Sequence, residues 1–189
     1  MQKIIIHYIN GIFIKEYAHT NIYIIENVFD SRLCELIITA MNNSKMIALP
    51  ITNNQNVECY SIKKLQAYGL DDILRKKLLE IADIIMLLCP RIQIVGFSSY
   101  ELRKVYGKTN LHIDGALDNI NSHIRTSTVV LALNNNFTGG VYSFPYHNIK
   151  FSLNTGSAVF FPPYWTHPHE VSSIGNGEYR YIFSSWGLQ

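Results

Sequence analysis

Beyond Pro90 the chain breaks into short apolar segments set apart by turn-forming residues, and this texture constrains the fold more than any other feature. Candidate strands run over residues 92–98, 100–105, 111–114, 126–133, 141–144, 149–153, 158–161, 169–172 and 179–186. Between them stand Asn134-Asn135-Asn136, Gly139-Gly140, Asn154-Thr155-Gly156 and Gly175-Asn176-Gly177, residue types that tolerate turn backbone. Many evenly spaced strands after a helical preface suggest a double-sheet jelly roll with helices on one outer face.

The preface is legible in parts. Residues 4–9, then Asn10-Gly11, then residues 12–15 read as a β-hairpin, because Asn-Gly is the preferred pair for a type I′ turn. Tyr23-Ile24-Ile25 continues the β character. Asp30 or Ser31 can cap a helix whose apolar face is Leu33, Ile37, Ala40 and Met41, ended by Asn42-Asn43-Ser44. Residues 51–68 are polar and aperiodic and read as loop with at most one strand. A second helix spans 70–88 on the stripe Leu70, Leu74, Leu78, Ile81, Ile85 and Leu88, and Pro90 closes it. The stripe reads as packing against a sheet. The fold class is therefore α+β, mainly β. We expect one domain over 1–189, with the hairpin and supporting helices in 1–90 and the jelly-roll core in 91–189.

Charge and cysteine content narrow the setting. Sixteen Lys and Arg against fourteen Asp and Glu give a net charge of +2, and the basic residues are scattered. No basic stripe marks a nucleic-acid partner. Cys34, Cys59 and Cys89 are odd in number and far apart, which reads as free thiols in a reducing compartment. The N-terminal apolar run is too short for a signal-peptide core, and no stretch approaches the ~20 residues of a membrane span. A cytoplasmic protein without membrane association is expected.

Chemistry concentrates in four residues. His112 and Asp114 stand two apart, so on one strand they present an imidazole and a carboxylate to the same face. Alone, an H-x-D step is common by chance. Downstream, His169 begins a strand after a proline-containing turn, and Arg180 follows eleven positions later. Two His and one carboxylate form the facial set that holds a non-haem Fe(II) and leaves three positions open. An arginine on the last strand can hold the far carboxylate of a keto-acid cosubstrate. His167 competes with His169 as third ligand. His123 and His147 read as surface loop residues, and His7 and His19 need no function.

From Tyr100 to Trp186 these pieces occur in a familiar order. His112-Ile113-Asp114-Gly115, Leu133-Asn134-Asn135-Asn136-Phe137-Thr138-Gly139-Gly140, Phe144-Pro145, Thr155-Gly156-Ser157-Ala158-Val159-Phe160-Phe161-Pro162, His169-Glu170-Val171 and Tyr179-Arg180-Tyr181 with Trp186 succeed one another. Together they resemble the Fe(II)- and 2-oxoglutarate-dependent oxygenases, specifically the prolyl-4-hydroxylase-like branch. The resemblance implies a double-stranded β-helix, cupin-like, with His112, Asp114 and His169 as iron ligands and catalytic residues. It implies Arg180 as the partner of the C5 carboxylate of 2-oxoglutarate, with O2 as oxidant and ascorbate as a further cofactor. His169 is favoured over His167 by the H-x-V pattern and its spacing to the arginine. Related halogenases need a small residue in place of the carboxylate ligand, so Asp114 argues for oxygenation.

Relatives often place a cosubstrate-gripping tyrosine just before the L-N motif, where this chain has Ala132. Tyr100, Tyr106 and Thr128 are the candidates to replace it. Ser184, which shares a strand face with Arg180, Ile182 and Trp186, could hydrogen-bond near the site. Gly139-Gly140 reads as tight backbone approach rather than a phosphate loop, and Glu170 as an exterior residue. The resemblance implies hydroxylation of a C–H bond in a peptidyl residue, prolyl-like, or in a free amino acid or other small metabolite, with 2-oxoglutarate decarboxylated to succinate. Two alternatives are a nucleic-acid demethylase of the same superfamily and a non-catalytic jelly-roll binding module. No second arginine follows Arg180, which ranks the demethylase low. Loops at 42–60, 115–125 and 142–148 would select the substrate.

Overall fold

The computed structural model describes residues 2–43, 46–48, 56–60, 69–118 and 123–189. The chain opens with β1 (Ile4–Ile9) and β2 (Ile12–Tyr17), paired antiparallel with Ile9 opposite Ile12. Asn10 and Gly11 between them sit at φ 51° and 80°. Two successive positive angles define the type I′ turn that the Asn-Gly pair predicts. β3 (Ile22–Ile25) then pairs with β2.

Asp30 caps helix α1 (Ser31–Asn42), its carboxylate accepting from the Leu33 N–H at 2.7 Å. Helix α2 (Leu70–Leu88) starts from Gly69 without a side-chain cap, and Asp71 and Asp72 in its first turn complement the exposed N–H groups instead. Its buried residues include Leu70, Leu74, Leu78, Ile81 and Ile85, the stripe predicted from spacing, while Leu88 is half-buried. Between the helices lie β4 (Met46–Ala48) and β5 (Asn56–Tyr60), paired with each other. The expected loop over 51–68 thus contains β5, and its other residues, 51–55 and 61–68, lie outside the described ones.

After α2 come β6 (Gly96–Phe97), β7 (Glu101–Tyr106), β8 (Thr109–His112), β9 (Leu117–Asp118), β10 (His123–Ala132), β11 (Tyr142–Phe144), β12 (Ile149–Phe151), β13 (Ala158–Phe161), β14 (His169–Val171) and β15 (Arg180–Leu188). Two antiparallel sheets result. The larger runs β1-β2-β3-β13-β10-β15-β7-β5-β4, with β6 beside β15 and β9 beside β10. The smaller runs β12-β11-β14-β8. This is the predicted jelly roll.

The layers follow from alternation along the strands. Leu102, Val129, Leu131, Phe160 and Phe183 form one core with Ile37, Leu74, Leu78 and Ile81 of the helices. Ile24, Val159 and Phe161 of the larger sheet form a second core with Phe144, Tyr142 and Val171 of the smaller one. The helices therefore cover one outer face, and the other face of the large sheet meets the small sheet. Gly139 bridges to Ile174 at φ 78°, and a Cβ there would stand 2.0 Å from the Ser173 carbonyl oxygen. Close backbone approach is thus what this glycine serves. Among the described residues no helix is long and apolar enough to cross a membrane.

Candidate active site

β8 and β14 pair with His112 opposite His169, but the next matched pair is Thr109 opposite Val171. Three steps on β8 match two on β14, which is a bulge, and bulges re-aim side chains. The two imidazoles end with ring centroids 4.3 Å apart. Nδ1 of His112 donates to the Asn110 carbonyl at 2.8 Å, and Nδ1 of His169 donates to the His167 carbonyl at 3.1 Å. A carbonyl only accepts, so each Nδ1 carries the proton and each Nε2 offers its lone pair.

Asp114 completes the set from outside the strand. β8 ends at His112, so the same-strand placement expected for the H-x-D pair is corrected: Asp114 sits in the turn that follows. Hydrogen bonds replace the strand as its support. The Gly115 N–H donates to the Pro163 carbonyl at 3.0 Å, tying this turn to the segment that leads into His169. Arg125 Nη1 donates to the Asp114 carbonyl at 3.1 Å, and its guanidinium stacks 4.2 Å from the Trp186 ring. The Thr128 hydroxyl donates to Asp114 Oδ2 at 2.5 Å, leaving Oδ1 3.6 Å from His112 Nε2. One donor atom each from His112, Asp114 and His169 lie within 4.8 Å of one another.

The electrostatics suit a cation. Burial opposes ionisation of Asp114, but the His112 imidazole beside it, the nearby His169 and the Thr128 hydroxyl outweigh it and hold the carboxyl at about 2. Burial pushes His169 down to about 4, against the pull of Asp114. For His112, burial is outweighed by Asp114 and the Asn110 carbonyl, and its pKa rises. An ionised carboxylate beside a neutral imidazole is the deprotonated form that binding a metal requires.

The same cavity contains Arg180, 5% exposed. Its Nη2 donates to the Thr109 hydroxyl at 3.4 Å, and among the described residues Nη1 has no partner. A guanidinium buried without a carboxylate is costly unless an anion joins it. Donor set and cation together therefore fit a metal ion and an anionic metal-chelating ligand between them. Ile182, Ser184 and Trp186 line the cavity beside Arg180, as the alternation along the last strand predicts.

Of the other candidate residues, Thr128 is in the cavity but is spent on Asp114. Ser184 faces the cavity, and among the described residues its hydroxyl has no partner. Tyr100 is not brought there: it faces the helices, 1% exposed, and donates to Asp71 Oδ1 at 2.6 Å. Tyr106 packs edge-on against Tyr179 in a separate surface cleft. On β7 it is Arg103 and Val105 that line the cavity. His167 has both nitrogens engaged, Nε2 donating to the Thr20 carbonyl at 2.6 Å and Nδ1 with the Thr166 hydroxyl at 2.8 Å, and it stands apart from the donor set. His147 packs against it with ring centroids 4.5 Å apart, and His123 is exposed at the start of β10. Glu170 pairs outside with Lys108 at 3.0 Å.

Sequence reasoning missed Thr109, Arg125 and Tyr142. The strand expected over 141–144 is present as the buried Tyr142–Phe144, so of the mouth loop expected over 142–148 only the part beyond the strand is left, with Pro145–His147 a helical turn. In the other two expected loops, residues 44–45, 49–55 and 119–122 lie outside the described ones. Alternation with Phe144 across Ser143 was the one signal that Tyr142 faces inward.

A model of the 2OG-Fe(II) oxygenase superfamily matches residues 95–187. No curated protein matches the chain by sequence. Among solved structures, the viral collagen prolyl hydroxylase of Paramecium bursaria Chlorella virus-1, in its 2OG complex, aligns over 90% of this chain and 97% of its own at 17% identity and TM-score 0.67. A Trichoplax adhaerens prolyl hydroxylase bound to a hypoxia-inducible-factor peptide aligns over 90% and 84% at 19% identity and TM-score 0.64. A Pseudomonas putida prolyl-4-hydroxylase aligns over 91% and 94% at 16% identity and TM-score 0.61. These likenesses show a shared fold, and the family match runs across the whole constellation from β7 to β15: the chain belongs to the 2OG-Fe(II) oxygenase superfamily.

Proposed function

We propose that this protein is an Fe(II)- and 2-oxoglutarate-dependent hydroxylase acting on a C–H bond of a peptidyl residue, prolyl-like, or of a free amino acid or small metabolite. The observation that carries the reading is the pairing, in one cavity, of a His-Asp-His donor set with a buried arginine whose Nη1 has no partner among the described residues. In it, His112, Asp114 and His169 hold the iron, and Arg180 takes the distal carboxylate of 2-oxoglutarate as a charge-assisted pair. When bound, iron with O2 and 2-oxoglutarate supplies the oxidation, yielding succinate, CO2 and a hydroxylated substrate carbon. The chain contributes position and charge. Thr128 and Arg125 keep Asp114 aimed inward. Phe144 and Phe161 flank His169 at 5.5 and 4.6 Å and exclude water from it.

Two of the solved neighbours favour a peptide: one is a collagen prolyl hydroxylase and another holds a peptide fragment. The test is anaerobic titration with Fe(II) and then 2-oxoglutarate, read by the metal-to-ligand charge-transfer band. The band is expected in the wild type and absent from His112→Ala and Asp114→Ala. A folded wild-type protein without it would overturn the reading, and so would loss of iron in His167→Ala with retention in His169→Ala. Succinate release over proline-containing peptides and free amino acids then decides the substrate class.

A further inference from the structure

β1, β4, β12 and β8 stand at the ends of the two sheets, and β1 is unlike the rest. β4 and β12 are three residues long and β8 four. β12 also carries Lys150, and β8 a bulge. Short length, charge and bulges are how sheet edges avoid pairing with other chains. β1 uses none of these. Its six residues, Ile4-Ile5-Ile6-His7-Tyr8-Ile9, run in unbroken register with β2. It contains no Lys, Arg, Asp, Glu or Pro, and His7 is tied to Glu16 of β2 at 2.7 Å. Among the described residues β2 is its only strand neighbour.

Hydrogen-bond alternation decides which backbone groups face outward. In a two-residue hairpin the residues flanking the turn, here Ile9 and Ile12, exchange both backbone bonds. Bonding to β2 then falls to the odd-numbered residues of β1, and beyond its far end the Lys3 carbonyl accepts from the Ala18 N–H at 3.0 Å, in the same phase. Ile4, Ile6 and Tyr8 therefore aim their N–H and C=O groups at the free edge. Their side chains share one face and are exposed, at 48%, 46% and 73%. The same residues thus offer unpaired backbone and apolar surface.

This set is symmetric about Ile6, so the strand that matches it is a copy of itself. A second β1 laid antiparallel along the edge, with a twofold axis at Ile6, sets Ile6 against Ile6 and Ile4 against Tyr8. All the outward N–H and C=O groups of these residues find partners in that register, and every cross-strand pair on the exposed face is apolar. Sliding the copy by two residues would set Ile4 or Tyr8 beyond the end of the partner's strand. The contact is isologous, so it closes at two copies. We propose that this protein is a homodimer in which β1 pairs antiparallel with β1 of a second copy about a twofold axis at Ile6, joining the two large sheets into one.

Sedimentation analysis of the full chain over a range of concentrations tests it. The wild type is expected at twice the chain mass. Ile6 lies opposite Lys15 within the chain, so Ile6→Glu suits the hairpin while setting two carboxylates face to face across the axis. It should raise the dimer dissociation constant by about tenfold or more, with circular dichroism unchanged. Leu87→Glu, at a 64% exposed position of α2, should leave the dimer intact. Mild oxidation reads the register: residue 6 meets its own copy at about 5.5 Å between Cα atoms, within disulfide reach, so Ile6→Cys should cross-link and Tyr8→Cys should not. A wild type that is monomeric at every concentration overturns the proposal, and so does an open assembly larger than two. A dimer that Ile6→Glu leaves intact, or Tyr8→Cys cross-linking as readily as Ile6→Cys, overturns it equally.

Discussion

The two faces of β15 are built to opposite rules. On the outer face, Phe183 is 1% exposed and packs against Phe29 and Tyr100 at 5.8 and 5.1 Å beneath the helices. The polar groups of that face are partnered: Ser185 donates to the Ser98 carbonyl at 3.0 Å and Tyr181 to Asn42 at 2.9 Å. On the inner face, Arg180 Nη1, Ser184 Oγ and Trp186 Nε1 are all buried without a partner among the described residues. One strand thus carries a satisfied structural face and a face of unused donors. An unpaired buried polar group costs about 1–3 kcal/mol, so the stability comes from the outer face and the recognition from the inner one.

Cutting the outer face should have the largest effect. Phe183→Ala removes a fully buried aromatic ring and is expected to cost about 3–5 kcal/mol in denaturant unfolding. The fraction that stays folded should bind 2-oxoglutarate with wild-type affinity. Next in size is the opposite cut. Arg180→Met is expected to weaken 2-oxoglutarate binding by about 2–3 kcal/mol, roughly 30- to 150-fold, the worth of a charge-assisted pair. The ligand-free protein should melt at the same temperature or higher, since a buried unpaired cation has been removed. A melting-temperature drop like that of Phe183→Ala would break the contrast between the faces.

A third cut lies on the neighbouring strand. Thr128 sits opposite Trp186 across the β10–β15 pairing, and its hydroxyl holds Asp114. Groups that orient metal ligands typically matter by 10–100-fold in affinity. Thr128→Val, which keeps the shape, should therefore weaken iron binding by about tenfold in an anaerobic titration. Affinity for 2-oxoglutarate measured at saturating iron should be nearly unchanged.

What the sequence made legible was whatever a local rule decides. Asn10-Gly11 dictated a turn, the Leu70-to-Leu88 stripe dictated a helix, and alternation on the last strand put Arg180, Ile182, Ser184 and Trp186 on one face. What escaped was decided by tertiary packing. β7 buries one residue on each face, Leu102 and Val105, and leaves the rest half-buried, so its pattern does not say which side meets the cavity; Arg103 and Val105 line it, and Tyr100 and Tyr106 do not. β11 is three residues long, too short for a period, which hid Tyr142. The bulge beside His112 and the displacement of Asp114 into a turn have no local signature. Arg125 and Thr109 were invisible because their partners are a backbone carbonyl and a guanidinium from distant segments.

The smallest expected effect comes from Tyr100, which the sequence could not place on either face. Its hydroxyl donates to Asp71 Oδ1 at 2.6 Å, and this bond, followed by that of Arg75 at 2.9 Å, holds the Asp71 carboxyl below its usual range. Tyr100→Phe keeps the ring against Phe183 and removes one hydrogen bond, so it should cost about 1 kcal/mol near pH 7. The pH dependence follows from the sign of the shift. Asp71 binds its proton more weakly in the folded chain than in the unfolded one, so its contribution is complete above the unfolded value of about 3.9 and is lost as pH falls through the lower, folded one. The gap between wild type and Tyr100→Phe in urea unfolding should therefore be steady from neutral pH down to about pH 5 and shrink on further acidification. Affinity for 2-oxoglutarate should stay within about twofold throughout, because Tyr100 belongs to the helix-facing core. A larger change would mean that the outer face reaches the cosubstrate after all, and the division of β15 into a structural and a recognising face would have to be abandoned.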